Sequence, residues 1–176
     1  MTALSTEFRP LPVPPGKTFP DLNSDQRLRV VYGQLDRLRQ ANGGYISAPM
    51  TARQAGGKTA YDVLSLRDVL LASTANEYLG EAERLLGTYA LTLQLLEKFH
   101  HRIIDSIVAW PSPDDYATHL LPDRYHPRSL AEVTDGGSGH HIYSVGMLMY
   151  KLGDLMKHGF NLIVRPAEIH LLKDLT

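Results

Sequence analysis

The sequence predicts an all-α protein built from antiparallel helical hairpins, and three observations support that fold class. Apolar residues recur at three- and four-residue spacing over long stretches, which is the period of an amphipathic helix. The alternation of apolar and polar residues that marks a half-buried strand is nearly absent. Glycine and proline fall mainly between the periodic stretches, at positions where helices end.

The first 22 residues are predicted to form an arm outside the helical domain. They contain the prolines Pro10, Pro12, Pro14, Pro15 and Pro20. Because proline lacks an amide donor and has a fixed φ, this composition favours extended, polyproline-like backbone. Two interpretations stay open, a poorly ordered terminus or an arm that lies on the domain or on a partner. Residues 23–176 are expected to form one helical domain.

The first helix of this domain is predicted from residue 24 to about residue 40. Asn23 and Ser24 are good N-cap residues. The apolar residues that follow at helical spacing are Leu28, Val31, Leu35 and Leu38. The helix is expected to end near residues 42–44, because glycine adopts the left-handed conformation that closes many helices.

Two further helices are predicted in the middle of the chain. After extended backbone at residues 45–49 and a glycine-rich loop at 51–60, the second helix covers about residues 66–79. The third is predicted from about residue 81 to residue 110, with a broad apolar stripe. That stripe consists of Leu85, Leu86, Tyr89, Leu93, Leu96, Phe99, Ile103, Ile107 and Trp110. Pro111 then ends the helix.

The last part of the chain is predicted to hold a long loop and two helices. Residues 112–139 are irregular, and loops of that length are usually functional or disordered. A fourth helix fits residues 141–158, and a short extended connector follows at 160–164. Pro166 suits the first turn of a last helix, which runs through Leu175.

Glycines recur every seven residues along the fourth helix, at Gly139, Gly146 and Gly153. A glycine inside a helix costs about 1 kcal/mol relative to alanine. The two interior glycines therefore indicate a closely packed neighbour, either within the chain or in another subunit.

The composition excludes several classes of function. The formal net charge is −1 and basic residues are scattered, so we expect no nucleic-acid and no membrane partner. The absence of cysteine excludes disulfides, thiolate nucleophiles and thiolate metal sites. No stretch approaches the roughly 20 apolar residues of a membrane span, and no signal peptide is evident. The sequence thus predicts a cytoplasmic protein without a cofactor.

Two polar segments lead into predicted helix starts, and both are candidates for ligand binding. One combines residues 44–49 with Arg67 and Asp68, and the other is residues 132–140. A helix N-terminus has free amide donors and a positive dipole end, which suits polar ligands. An adjacent arginine and aspartate offer a donor fork beside an acceptor, the combination that sugar hydroxyls need.

Each of these residues also has an ordinary structural interpretation. Glu132 is a candidate general acid if burial keeps it protonated, or else a solvated loop residue. Arg67 and Asp68 are either ligand contacts or a helix cap with a surface ion pair. The adjacent pairs His100-His101 and His140-His141 do not have the i, i+4 spacing of a helical zinc site, so no metal is expected.

Three segments resemble motifs of glycoside hydrolase family 15, and they occur in the family's order. Residues 42–49, Asn-Gly-Gly-Tyr-Ile-Ser-Ala-Pro, resemble its N-G-x-[IL]-x-A-S segment, and Leu66-Arg67-Asp68 resembles its W-x-R-D motif. Residues 135–141, Asp-Gly-Gly-Ser-Gly-His-His, resemble the D-x-x-G-H-x-Q segment. That last version is found in the glucoamylase-like domain of phosphorylase kinase α and β subunits and in bacterial relatives. The similarity extends from about residue 24 to the C-terminus.

The resemblance implies half of an (α/α)6 toroid in which Arg67 and Asp68 hold a terminal glucose. Glu132 lies four residues before a glycine, as the family's catalytic acid does, and Asp135 competes with it for that position. The further candidate substrate-binding residues are Tyr45, His140 and His141.

Three departures from the family pattern affect what the resemblance implies. Ser65 stands where the family has an aromatic residue that stacks on sugar. The glutamine after Gly-His is replaced, and the family's catalytic base belongs to the half of the toroid that follows. We therefore expect an α-glucoside-binding or α-glucoside-hydrolysing protein that is a homo-oligomer or needs a partner chain. The alternative is a non-catalytic helical interaction or regulatory protein on the same scaffold.

Overall fold

The structure, a computed structural model, describes residues 12–47, 63–108, 112, 120–122, 124–133, 142–163 and 165–174. Within these ranges the chain is mainly helical, with short extended segments between helices, which confirms the all-α prediction. No helix in the same ranges is both long and apolar enough to cross a membrane.

Six α-helices follow a short 3-10 helix at Phe19–Asp21 in the part of the chain that the structure describes. They are α1 (Ser24–Leu38), α2 (Leu66–Leu79), α3 (Ala82–Lys98), α4 (His100–Val108), α5 (Ile142–Lys157) and α6 (Pro166–Asp174). Local sequence explains several of the helix ends. Asn23 caps α1, since its Oδ1 accepts a hydrogen bond from the Gln26 amide at 2.8 Å. Gly80 ends α2 with a left-handed φ of 70°, and Pro166 opens α6.

The prediction of one long third helix is wrong, because the helix breaks at Phe99. That residue has φ −106° and ψ 18°, outside regular helix, and α4 begins directly after it. The Phe99 ring packs against the Tyr125 ring with 5.4 Å between their centroids. His100 Nε2 lies 2.7 Å from Asp174 Oδ2 of α6. Phe99 at the break and His100 directly after it thus both make tertiary contacts.

Short extended segments that periodicity does not predict pair side by side in an antiparallel ribbon. Strands β1 (Leu64–Ser65) and β2 (Arg124–Tyr125) pair with Leu64 opposite Tyr125. Ile46 forms a bridge with Leu64 on one side, and Glu132 forms a bridge with Tyr125 on the other. We call the segments 45–46, 64–65, 124–125 and 132 the ribbon. It joins the chain after α1, the start of α2 and the loop between α4 and α5.

The core lies between the α2–α3 hairpin, α5, α6 and the inner face of the ribbon. Helix α3 is central, since it packs against α2, α4 and α6. The side chains that are almost completely buried include Leu64, Leu70, Tyr89, Leu93, Leu95, Leu96, Tyr125, Leu148 and Leu171.

The stripe predicted to bury α1 is wrong in part, because Leu38 packs against the core but two other residues of the stripe face solvent. Val30 and Tyr32 are buried, whereas Leu28 and Val31 are 48% and 53% exposed. Helix α1 is held to α3 by polar contacts, since Arg84 of α3 pairs with Asp36 and lies over the Tyr32 ring at 5.3 Å. Apolar residues occupy both faces of this helix, so their spacing alone does not identify the buried one.

The glycines after α1 allow their turn to lie directly on α3. Gly43 has φ 90°, and a Cβ there would lie 2.6 Å from the carbonyl carbon and oxygen of Gly87. Thr88 Oγ1 donates a hydrogen bond to the Gly43 carbonyl at 2.8 Å. By contrast, at Gly146 and Gly153 nothing described lies within 4 Å of an added Cβ. Of the two alternatives for the glycines of α5, close packing within the chain is thus not found among the described residues, whereas Gly43 does pack closely on α3.

Gly43→Ala should lower the free energy of unfolding by about 3 kcal/mol, because it combines a strained φ with a backbone clash. Gly80→Ala is the matched control, since Gly80 also has a positive φ of 70° but nothing within 4 Å of an added Cβ. The control should lose only about 1 kcal/mol. Urea unfolding of both variants measures the difference, and equal losses would show that the contact with Gly87 is unimportant.

Candidate functional site

The start of α2 carries a small polar cluster formed by Ser47, Arg67 and Asp68. Arg67 Nε donates to Asp68 Oδ1 at 2.8 Å, and Ser47 Oγ donates to Asp68 Oδ2 at 3.2 Å. The Arg67 and Asp68 side chains are 42% and 32% exposed, so solvent and solutes reach both groups. The structure therefore brings the two parts of the first predicted segment together on the surface.

The ribbon determines where this cluster lies. The Ser47 amide donates to the Val63 carbonyl at 3.1 Å, which holds the loop after α1 against the chain that enters α2. Asp68 is in the first turn of α2, where a carboxylate interacts favourably with the helix dipole. The polar groups thus rest on paired backbone and on a helix rather than on an unsupported loop.

Tyr45 lies inside the fold and not in the exposed cluster. Its side chain is 2% exposed, and its hydroxyl accepts a hydrogen bond from Asn76 Nδ2 of α2 at 2.8 Å. In this position Tyr45 ties the loop after α1 to α2. A sugar-stacking role needs an accessible ring face, which this burial does not provide.

Glu132 forms a bidentate ion pair with Arg102 of α4. The distances are 2.6 Å from Nη2 to Oε2 and 3.2 Å from Nη1 to Oε1, and both side chains are largely buried. Arg102 also donates to the Leu120 carbonyl at 3.3 Å and lies over the Phe99 ring at 5.4 Å. Glu132 is thus one member of a packed charged and aromatic group on the inner side of the ribbon.

This ion pair affects the chemistry available to Glu132. A general acid must carry a proton on one carboxyl oxygen and present it to the leaving group. Here both oxygens accept hydrogen bonds from a guanidinium, an arrangement that suits an ionised carboxylate. As it stands, this geometry makes Glu132 a structural partner of Arg102.

The remaining candidate residues Asp135, His140 and His141 lie outside the described residues. Within the described ranges, no group of three histidine, aspartate or glutamate side chains is placed to hold a metal ion.

A partly buried polar network between α2, α3 and α5 was not predicted from the sequence. Lys151 of α5 lies 2.6 Å from Glu77 of α2, and the Tyr89 hydroxyl donates to the same glutamate at 3.3 Å. Burial raises the pKa of Tyr89, so its hydroxyl keeps the proton that it donates. The available signal was the position of Lys151, which has Met147, Leu148 and Leu155 at three- and four-residue spacing along α5.

Comparisons of the chain with family models, with curated proteins and with solved structures found no match.

The Arg102–Glu132 pair should contribute measurably to stability because both side chains are largely shielded from water. Arg102→Met leaves the carboxylate without its partner and should lower the free energy of unfolding by about 2 kcal/mol. A double-mutant cycle with Glu132→Gln should give a coupling energy of at least about 1 kcal/mol.

The exposed pair Arg29–Asp25 is the control for this cycle. Its atoms approach to 2.9 Å, but the side chains are 29% and 64% exposed. The same cycle at that pair should give less than about 0.5 kcal/mol. A coupling energy near zero at Arg102–Glu132 would mean that Glu132 is not held by the pair and is free for another role.

Proposed function

We propose that this chain binds a polyhydroxylated ligand of the α-glucoside type at the cluster formed by Ser47, Arg67 and Asp68. The observation that carries the proposal is the accessible arginine–aspartate pair at the start of α2. Sugar hydroxyls both donate and accept hydrogen bonds, and this pair offers a guanidinium next to a carboxylate. The resemblance of this segment to glycoside hydrolase family 15 agrees with the same class of ligand.

The fixed positions of the polar groups support binding at this place. Ser47 and Asp68 come from separate segments, and the hydrogen bond between them spans 21 residues of sequence. Ligand sites built on paired backbone and helices keep their geometry better than sites on free loops. We propose further that the helical hairpins form half of an (α/α)6 toroid, with the cluster at the helix N-termini.

Binding without hydrolysis is the form of this function that the geometry favours. Hydrolysis through Glu132 requires a protonated carboxyl group, and Arg102 occupies both of its oxygens. An inverting reaction also requires a second carboxylate at a separation of about 6.5–9.5 Å to activate water. The resemblance assigns that second carboxylate to the other half of the toroid, so hydrolysis requires residues beyond the half proposed here.

A second candidate function is that of a non-catalytic helical interaction protein, and the outer faces of the helices favour it. Several large apolar side chains on different helices are about half exposed or more. They include Leu28 and Val31 on α1, Leu71 on α2, and Tyr150 and Met156 on α5. The expected occupant is a second copy of the chain, and a mass of 19.6 kDa by sedimentation at micromolar concentration would contradict it.

Titration with maltose while the melting temperature is followed tests ligand binding. A ligand that binds only the folded state raises the melting temperature as its concentration exceeds Kd. The wild-type protein should show a saturating shift at millimolar maltose, and Arg67→Ala should abolish it. Arg29→Ala is the matched control, because Arg29 also pairs with an aspartate, at 2.9 Å, but on α1.

The outcomes separate the candidate functions. No shift with maltose, maltotriose or glucose would overturn the binding proposal. Release of the aryl group from an aryl α-glucoside by the wild type, lost in Glu132→Gln, would contradict binding without hydrolysis. An equal shift in the wild type and in Arg67→Ala would place the ligand elsewhere on the protein.

A further inference from the structure

The arm before α1 carries a proline-rich segment, and we propose that it docks into the aromatic-lined groove of an SH3-type domain. Residues 9–17 read Arg-Pro-Leu-Pro-Val-Pro-Pro-Gly-Lys. Arg9, Pro12 and Pro15 are separated by intervals of three residues, which is the repeat of the polyproline II helix. In that conformation they share one edge of the helix. Grooves of the SH3 class bind such P-x-x-P edges.

The described part of this segment is presented to solvent. Pro12 and Pro15 are exposed, and Val13 between them is 39% exposed. Residues 12–14 belong to no helix or strand. Proline has no backbone N–H. An exposed proline-rich segment therefore loses fewer hydrogen bonds to water than other segments do when a partner covers it. Its restricted φ also lowers the entropy lost on docking.

A turn marks the end of the docking segment. The Lys17 amide donates to the Pro14 carbonyl at 3.1 Å, and Gly16 has φ 77°. A positive φ at Gly16 interrupts the three-residue repeat directly after Pro15. Lys17 therefore leaves the line of the segment. Arg9 lies outside the described residues, but in the sequence it stands three residues before Pro12, the spacing at which a polyproline II helix would continue the edge of Pro12 and Pro15 with a cation.

The arm is anchored to the helical domain just after this turn. Leu22 is 2% exposed, and Arg27 of α1 donates to the Pro20 carbonyl at 2.6 Å. Thr18 and Asp21 bond to each other around the short 3-10 helix, with 2.6 Å between Thr18 Oγ1 and Asp21 Oδ2. The proline-rich segment thus ends directly before the anchored residues 18–22, and docking does not require the helical domain to open.

The test uses the full chain and an isolated, 15N-labelled SH3 domain that binds R-x-x-P-x-x-P peptides. Wild-type protein should cause saturable chemical-shift changes at the aromatic residues of the SH3 groove. Pro12→Ala, Pro15→Ala and Arg9→Glu should each weaken the affinity by about tenfold or more, as expected for central contacts. Circular dichroism should show the same helical content for every variant.

Three control variants distinguish recognition of one edge of the polyproline helix from recognition of proline content in general. Val13→Ala and Pro10→Ala alter another edge of the same polyproline helix, and each should change the affinity by less than about twofold. Lys17→Glu should also have a small effect, because the turn carries that residue away. The absence of saturable binding by the full chain overturns the proposal. So does a pattern in which Pro10→Ala weakens binding as much as Pro12→Ala.

Discussion

Backbone pairing in the ribbon is the constraint on which the rest of the structure depends. The segments that connect the helices run through the interior, where Leu64 and Tyr125 are fully buried and Tyr45 is 2% exposed. Buried amide and carbonyl groups must find partners, and these segments supply them to one another. The pairing brings the chain after α1, the start of α2 and the loop before α5 to one place.

Two arginine–carboxylate pairs lie near the ribbon, and they differ in how far their side chains are exposed to solvent. This difference in exposure gives them different roles. Arg67 and Asp68 are adjacent in sequence and partly exposed, so their mutual attraction is weakened by water and they remain accessible to a ligand. Arg102 and Glu132 are 30 residues apart and largely shielded, with two hydrogen bonds and an aromatic ring beside them. The first pair is suited to binding, and the second to holding α4 against the ribbon.

The sequence predicts those parts of the structure that depend on local periodicity. Helices α2, α5 and α6 lie within about a residue of their predicted bounds, and Asn23 is the predicted cap of α1. Extended backbone was predicted at residues 45–49, but β1, β2 and the pairing in the ribbon were not, because strands of two residues have no measurable alternation. The break at Phe99 and the buried face of α1 were missed because tertiary contacts, with Tyr125 and with Arg84, decide them.

The candidate site was predictable only where its residues are neighbours in sequence. Arg67 and Asp68 were recognisable as a pair, but the partner of Glu132, Arg102, lies 30 residues away in sequence and is set by the tertiary fold, which no spacing reveals. The proline-rich segment is a different case, since its recognition edge follows from a three-residue repeat that needs no tertiary structure. The proline-rich segment at residues 9–17 and the polar cluster of Ser47, Arg67 and Asp68 share no residue. Ligand binding and partner docking therefore depend on different residues, and a substitution that abolishes one should leave the other intact.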